Sequence, residues 1–122
     1  MRLLVCGGRD FVNVPLLWRL LDWLDKDGEV RVVIEGASDD VTGPFQGADY
    51  WAHQWALARQ KPTVRAHADW RKHGKAAGPI RNKAMIDEHK PDWLIAFPGG
   101  RGTSNMIRQA QDAGIHVQVV VP

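Results

Sequence analysis

Short apolar runs alternate along this chain with segments of helical periodicity, and that alternation restricts the fold more than any other feature. Residues 2 to 6, Val30 to Ile34, Thr63 to Ala68, Trp93 to Phe97 and Val117 to Val121 read as strands. Between them, Leu17, Leu20, Leu21 and Leu24 recur at helical spacing until Gly28, after the cap-like Asn13 and first-turn Pro15. Ala48, Trp51, Ala52, Trp55 and Ala56 share one face of a second helix, opened by Gly47-Ala48-Asp49. Gly78-Pro79 starts a third, with Arg81 in its first turn and Ile80, Ala84 and Met85 as its contacts. Met106, Ile107, Ala110 and Ala113 give a last helix its stripe up to Gly114. Strands joined through helices run parallel with right-handed crossovers and put helices on both faces of the sheet. The expected fold is therefore α/β, a Rossmann-like doubly wound sheet of about five parallel strands in the order 3-2-1-4-5. At 122 residues the chain is expected to form one domain, 1–122.

That strand order makes the first and fourth strands neighbours, and both run into glycines. Gly7-Gly8-Arg9-Asp10 follows the first, and Pro98-Gly99-Gly100-Arg101-Gly102-Thr103 follows the fourth. Ligands of open α/β sheets bind in the crevice outside such carboxyl ends. Glycines at φ > 0 would let a ligand approach the backbone, and Thr103 or Ser104 is the expected N-cap of the last helix. Free N–H groups and the positive end of a helix dipole suit a phosphate or carboxylate there. Arg65, Arg71, Lys72, Lys75, Arg81 and Lys83 add positive charge from the third strand, a long basic loop over 69–78 and the helix after it.

Composition narrows the partners. A formal net charge of +2 does not argue for non-specific nucleic-acid binding, and the one aromatic in the basic loop, Trp70, is thin support for stacking on single strands. Nucleic acid therefore ranks below a small ligand. No apolar run approaches the ~20 residues of a membrane span, and Met1-Arg2 leads straight into a strand, so the expectation is a cytoplasmic protein without membrane contact. Cys6 reads as a small core residue. The five histidines show no zinc-ligand spacing and no GxxxxGK[ST] run occurs, so no metal and no cofactor is expected. Six tryptophans in so short a chain predict apolar surface that a homodimer would cover. Ser38 to Gln46 reads as an irregular excursion or lid, its aspartates as turn formers.

Several of these pieces resemble one family. Val5-Cys6-Gly7-Gly8-Arg9-Asp10, Gly47-Ala48-Asp49, Ala68-Asp69-Trp70, the run from His73 to Asn82, and Ala96 to Thr103 are similar, in this order, to the SLOG superfamily, and within it to the small bacterial and phage group of YspA-like, cpYpsA-related proteins. The resemblance implies a Rossmann-like domain that binds a nucleotide or nucleotide-derived phosphorylated ligand as a sensor or binding module. The implied ligand-binding residues are Gly7, Gly8, Arg9, Gly36, Gly47, Asp49, Trp70, Gly78, Arg81, Asn82, Pro98, Gly99, Gly100, Gly102 and Thr103. Pro98 to Thr103 also looks like the Lonely Guy phosphoribohydrolases of the same superfamily, which cut nucleoside monophosphates to base and ribose 5-phosphate. Those enzymes carry acidic residues two and three positions after the threonine, where this chain has Asn105 and Met106. Neither side chain titrates. A hydrolase of an N-glycosidic or phosphate bond would need its carboxylate from Asp10, Asp49, Asp69 or Glu35, and no catalytic residue is assigned. The excursion from Ser38 to Gln46 is longer than the group's pattern.

Overall fold

The computed structural model describes residues 1–38 and 46–122. The sequence excursion is therefore almost wholly outside the described residues. Five strands, β1 (Arg2–Cys6), β2 (Val32–Glu35), β3 (Thr63–Arg65), β4 (Trp93–Ala96) and β5 (His116–Val119), form one sheet in the order β3-β2-β1-β4-β5. All four pairings are parallel, with Leu4 opposite both Ile34 and Leu94. Around the sheet stand α1 (Val14–Leu24), α2 (Ala48–Ala58), the one-turn α3 (Trp70–His73), α4 (Ala77–His89) and α5 (Arg101–Asp112).

Period-two alternation in β1 divides the core between the two faces. Leu3 and Val5 pack with Leu17, Leu21, Trp55, Ile95 and Phe97 beneath α1 and α2. Leu4 and Cys6 point the other way, to Ile34, Met85, Leu94 and Met106 beneath α4 and α5. Both faces are covered, which is why the central strands are almost continuously apolar. Edge strands need less of this: every residue of β3 is only half-buried. Leu4 is fully buried at the centre of the second cluster, so Leu4→Ala is expected to cost about 2 to 5 kcal/mol in a denaturant melt. A loss under about 1 kcal/mol would show that this half of the core is not the one described.

Some element limits differ from the sequence expectation, each for a local reason. Asn13 caps α1 as anticipated, its Oδ1 accepting from the Leu16 N–H at 3.3 Å. The helix ends at Leu24, however, and Gly28, at φ 68°, belongs to the turn after it. The stretch expected to be a basic loop is helical. Asp69 Oδ1 accepts from the Lys72 N–H at 3.1 Å and nucleates α3, Gly74 ends it at φ 56°, and a 3-10 turn (Gly74–Ala76) runs into α4. Because α4 begins at Ala77 and not at Gly78-Pro79, Arg81 lies past the first turn.

The tryptophans also separate. Trp55 is fully buried, donating from Nε1 to Asp22 Oδ1 at 2.9 Å, while Trp18 is half-buried under the Arg59 guanidinium and Trp23 remains 60% exposed. Among the described residues, no helix is long and apolar enough to cross a membrane.

Candidate functional site

Outside the carboxyl ends of β1 and β4 lies a cleft of about 1110 Å³. Its floor is made by the two turns that the sequence singles out. The Gly8 N–H donates to the Pro98 carbonyl at 2.9 Å, so the turn after β1 and the turn after β4 are hydrogen-bonded to one another. Their approach excludes side chains. A Cβ on Gly7 would come within 2.6 Å of Ala48 Cβ, and one on Gly99 within 2.7 Å of the Gly8 nitrogen.

Gly7, Gly8 and Gly99 serve closeness, and no glycine of the two turns takes left-handed backbone, contrary to the sequence expectation. Gly99, Gly100 and Gly102 all lie outside the positive-φ region, and Gly100 and Gly102 face open space. The N-cap is also displaced. Gly100 caps α5 without a side-chain hydrogen bond, and Thr103, buried at the third helical position, directs its Oγ1 toward Gly99. Helix α5 thereby starts earlier than expected, and its first turn faces the cleft through Gly100, Arg101 and Gly102.

Of the residues implied by the sequence, all but Gly47 and Pro98 line the cleft. Those two hold its frame. Gly47, at φ 93° and with the Arg9 carbonyl 3.0 Å from where a Cβ would stand, starts α2, and Pro98 supplies the carbonyl that Gly8 takes. Trp70 stands at the rim, 38% exposed, with the Arg9 guanidinium 5.6 Å from its ring centroid. Arg81 Nη1 donates to the Gly36 carbonyl and Nε to Asn82 Oδ1 at 3.0 Å. Burial lowers its pKa and Asp49 pulls the other way. The cleft gathers Arg9, Lys75, Arg81, Arg101 and Arg108 against Asp10 and Asp49.

Arg101, Asn105 and Arg108 were missed as site residues. They fall at i, i+4 and i+7 of α5 and so share a face two turns long, a signal readable once the helix start is fixed. Asn105 Oδ1 accepts from Asn82 Nδ2 at 3.1 Å and from Gln109 Nε2 at 2.8 Å, and Asn82 Nδ2 also lies 3.3 Å from the Gly102 carbonyl. This amide chain ties α4 to α5. Its neighbour Met106 is 1% exposed in the core beneath the sheet.

The candidate carboxylates part company. Asp10 and Asp49 line the cleft. Asp69 does not; it caps α3. Glu35 is fully buried and does not line the cleft, accepting from Arg65 Nε at 2.5 Å and from the Ala37 N–H at 2.6 Å, with His53 Nδ1 3.8 Å away. Burial pushes its carboxyl up to about 8, against the pull of Arg65, and Asp49 adds to the rise. Burial likewise raises Asp49 and the Cys6 thiol, which leaves Cys6 an inert core residue.

A carboxyl whose pKa is higher in the folded state than in the unfolded chain holds extra protons when folded, so stability falls as pH rises between the two values. For Glu35 the window runs from about 4.5 to about 8. We expect the melting temperature to fall across that window and Glu35→Gln to flatten the fall; parallel profiles for the two proteins would remove Glu35 as its source. Among the described residues, no group of His, Cys, Asp and Glu could hold a metal ion.

Comparison with known proteins comes down on one family. Residues 1–73 match the profile of the YspA, cpYpsA-related SLOG family. The chain is also 36% identical over 124 aligned positions to the Gene 61 protein of Mycobacterium phage D29, an alignment covering 95% of this chain and 93% of the phage protein.

Proposed function

Because the chain belongs to the YspA, cpYpsA-related SLOG family, we propose that it is a binding module or sensor for a nucleotide or nucleotide-derived phosphorylated ligand held in the cleft between β1 and β4. The observation that carries this reading is the charge around the paired glycine turns, where, among the described residues, Arg9, Lys75, Arg81, Arg101 and Arg108 outnumber Asp10 and Asp49. Glycines without side chains admit a phosphate to the backbone N–H groups at the start of α5, the dipole of that helix adds to the attraction, and Arg81 supplies a guanidinium. Trp70 at the rim offers a face for a base. The volume is ample for a nucleotide. Mass spectrometry of the small molecule released when the purified protein is heat-denatured tests the reading. A phosphorylated nucleoside derivative supports it, and a released lipid, peptide or metal ion would displace it.

A hydrolase is the second reading, and the surroundings of residues 105 and 106 weigh against it. Asn105 is engaged through its carbonyl oxygen with Asn82 and Gln109, and Met106 is sealed in the core. No carboxylate stands where the phosphoribohydrolases keep their acidic pair, and departure of a base needs a group able to give or take a proton. Adenosine 5′-monophosphate incubated with the protein is expected to return intact, with no ribose 5-phosphate above the protein-free control, even while it raises the melting temperature through binding. Turnover near 1 s⁻¹, at the low end of ordinary enzyme rates of about 1 to 10³ s⁻¹, would establish a hydrolase instead.

A further inference from the structure

Anion binding accounts for the cations of the cleft and leaves one buried carboxylate of its described lining unexplained, Asp10 being exposed at the rim. Asp49, the second residue of α2, is 5% exposed and yet lines the cleft. Its Oδ2 accepts from the Ser38 N–H at 3.1 Å, and Arg81 lies within its electrostatic reach. A negative group here repels a phosphate, so it does not belong to the anion subsite. Nor does it repeat the part of Glu35, which is closed off from the cleft and engaged with Arg65. Its position is specific. Ala48, beside it, is the residue that a Cβ on Gly7 would strike, while Gly99 presses on the other side of the same turn. The start of α2 and the start of α5 thus flank the turn after β1, one bringing a carboxylate to the cleft and the other bringing N–H groups and arginines.

Such a cleft is chemically polarised. A phosphate belongs at the α5 flank, and the α2 flank calls for hydrogen-bond donors without negative charge. Within a nucleotide, the groups next to the phosphate that fit are the hydroxyls of the sugar, and a carboxylate oxygen accepts from them more strongly than a neutral acceptor does. We propose that Asp49 is a specificity-determining residue that accepts hydrogen bonds from the ribose 2′ and 3′ hydroxyls of the ligand, so that the cleft selects ribonucleotides over 2′-deoxyribonucleotides. This inference rests on the nucleotide reading of the cleft given above.

The test is calorimetric titration of the full-length protein with the four common ribonucleoside 5′-monophosphates and their 2′-deoxy counterparts, repeated on Asp49→Asn. The amide keeps an acceptor for the Ser38 N–H, and circular dichroism checks that the variant folds; Asp49→Ser, which also keeps an acceptor, replaces it if it does not. Loss of a hydroxyl facing a buried carboxylate is expected to weaken binding about ten- to a hundredfold, and that preference is expected to shrink to about threefold or less when the charge is removed. Equal binding of the ribo and deoxy forms by the unmodified protein would overturn the inference and leave the nucleotide reading standing. So would a preference that survives unchanged in the folded variant. If none of the eight nucleotides binds, this inference is overturned, while the nucleotide reading stands or falls with the molecule released on heating.

Discussion

Arg81→Ala is expected to weaken nucleotide binding about 10- to 100-fold, since a hydrogen bond to a charged group contributes about 1.5 to 3 kcal/mol. The loss has a second component that a purely surface arginine would not show. Arg81 is half-buried, bonded to the Gly36 carbonyl and to Asn82 Oδ1, and its charge faces Asp49. Removing it leaves a buried carboxylate without its nearest compensating cation, which we expect to cost about 2 to 3 kcal/mol of folding stability, somewhat below the usual cost of breaking a fully buried pair. The two losses can be separated. Adding Asp49→Asn to Arg81→Ala removes the uncompensated charge and should restore most of the stability while leaving binding weak. Arg81→Lys should recover only part of the affinity, because an ammonium cannot reproduce a planar fork of donors. Full affinity in the lysine variant, measured by calorimetry beside a thermal melt, would show that Arg81 supplies charge and no geometry.

Gly99→Ala should be far more damaging than Gly100→Ala, although the two residues are adjacent in one turn. A methyl at position 99 would lie 2.2 Å from Thr103 Oγ1, 2.7 Å from the Gly8 nitrogen and 3.0 Å from the Gly7 carbonyl carbon. The threonine could rotate aside. Gly7 and Gly8 contribute backbone, which moves only if the two turns part and the hydrogen bond from Gly8 to Pro98 is lost. Overpacking of this kind costs about 1 to 3 kcal/mol, and the separated turns would no longer hold the cleft floor, so binding should be lost together with about 3 to 15 °C of melting temperature. At Gly100 a methyl meets nothing, and φ is −99°; the fold should change by less than about 0.5 kcal/mol. Equal melting temperatures for the two variants would contradict the close approach of the two turns.

The strand order was legible because strands and helices alternate through the chain, and the apolar runs of β1 and β4 each lead into glycines at the carboxyl ends that this order makes neighbours. The cleft between them followed from the topology alone. What glycine does there was not legible. A glycine permits both unusual φ and close approach, and only coordinates distinguish Gly47, which needs φ 93°, from Gly99, which needs the space. The helical character of 70–76 was hidden for a related reason. Basic residues and glycines read as a loop, while the cap from Asp69 that starts the turn depends on a backbone angle that no spacing reveals. Arg101, Asn105 and Arg108 do not stand out while Thr103 or Ser104 is read as the N-cap; a helix that starts at Arg101 puts the whole face into register with the cleft. Glu35 misled in the opposite direction. It closes β2 at the correct end of the sheet, but Arg65 of the neighbouring strand claims it.

The proposed seat of a phosphorylated nucleotide is the pair of turns at the ends of β1 and β4. Its most direct test is an amide proton–nitrogen correlation spectrum of the protein, titrated with the ribonucleotide that binds most tightly in calorimetry. The largest shifts are expected on the Gly8, Gly100, Arg101 and Gly102 amides, with smaller ones at Gly36 and Asp49 and none along β5. Shifts confined to α3 and its basic neighbours, or spread over the exposed helices with the turn amides unmoved, would contradict this placement.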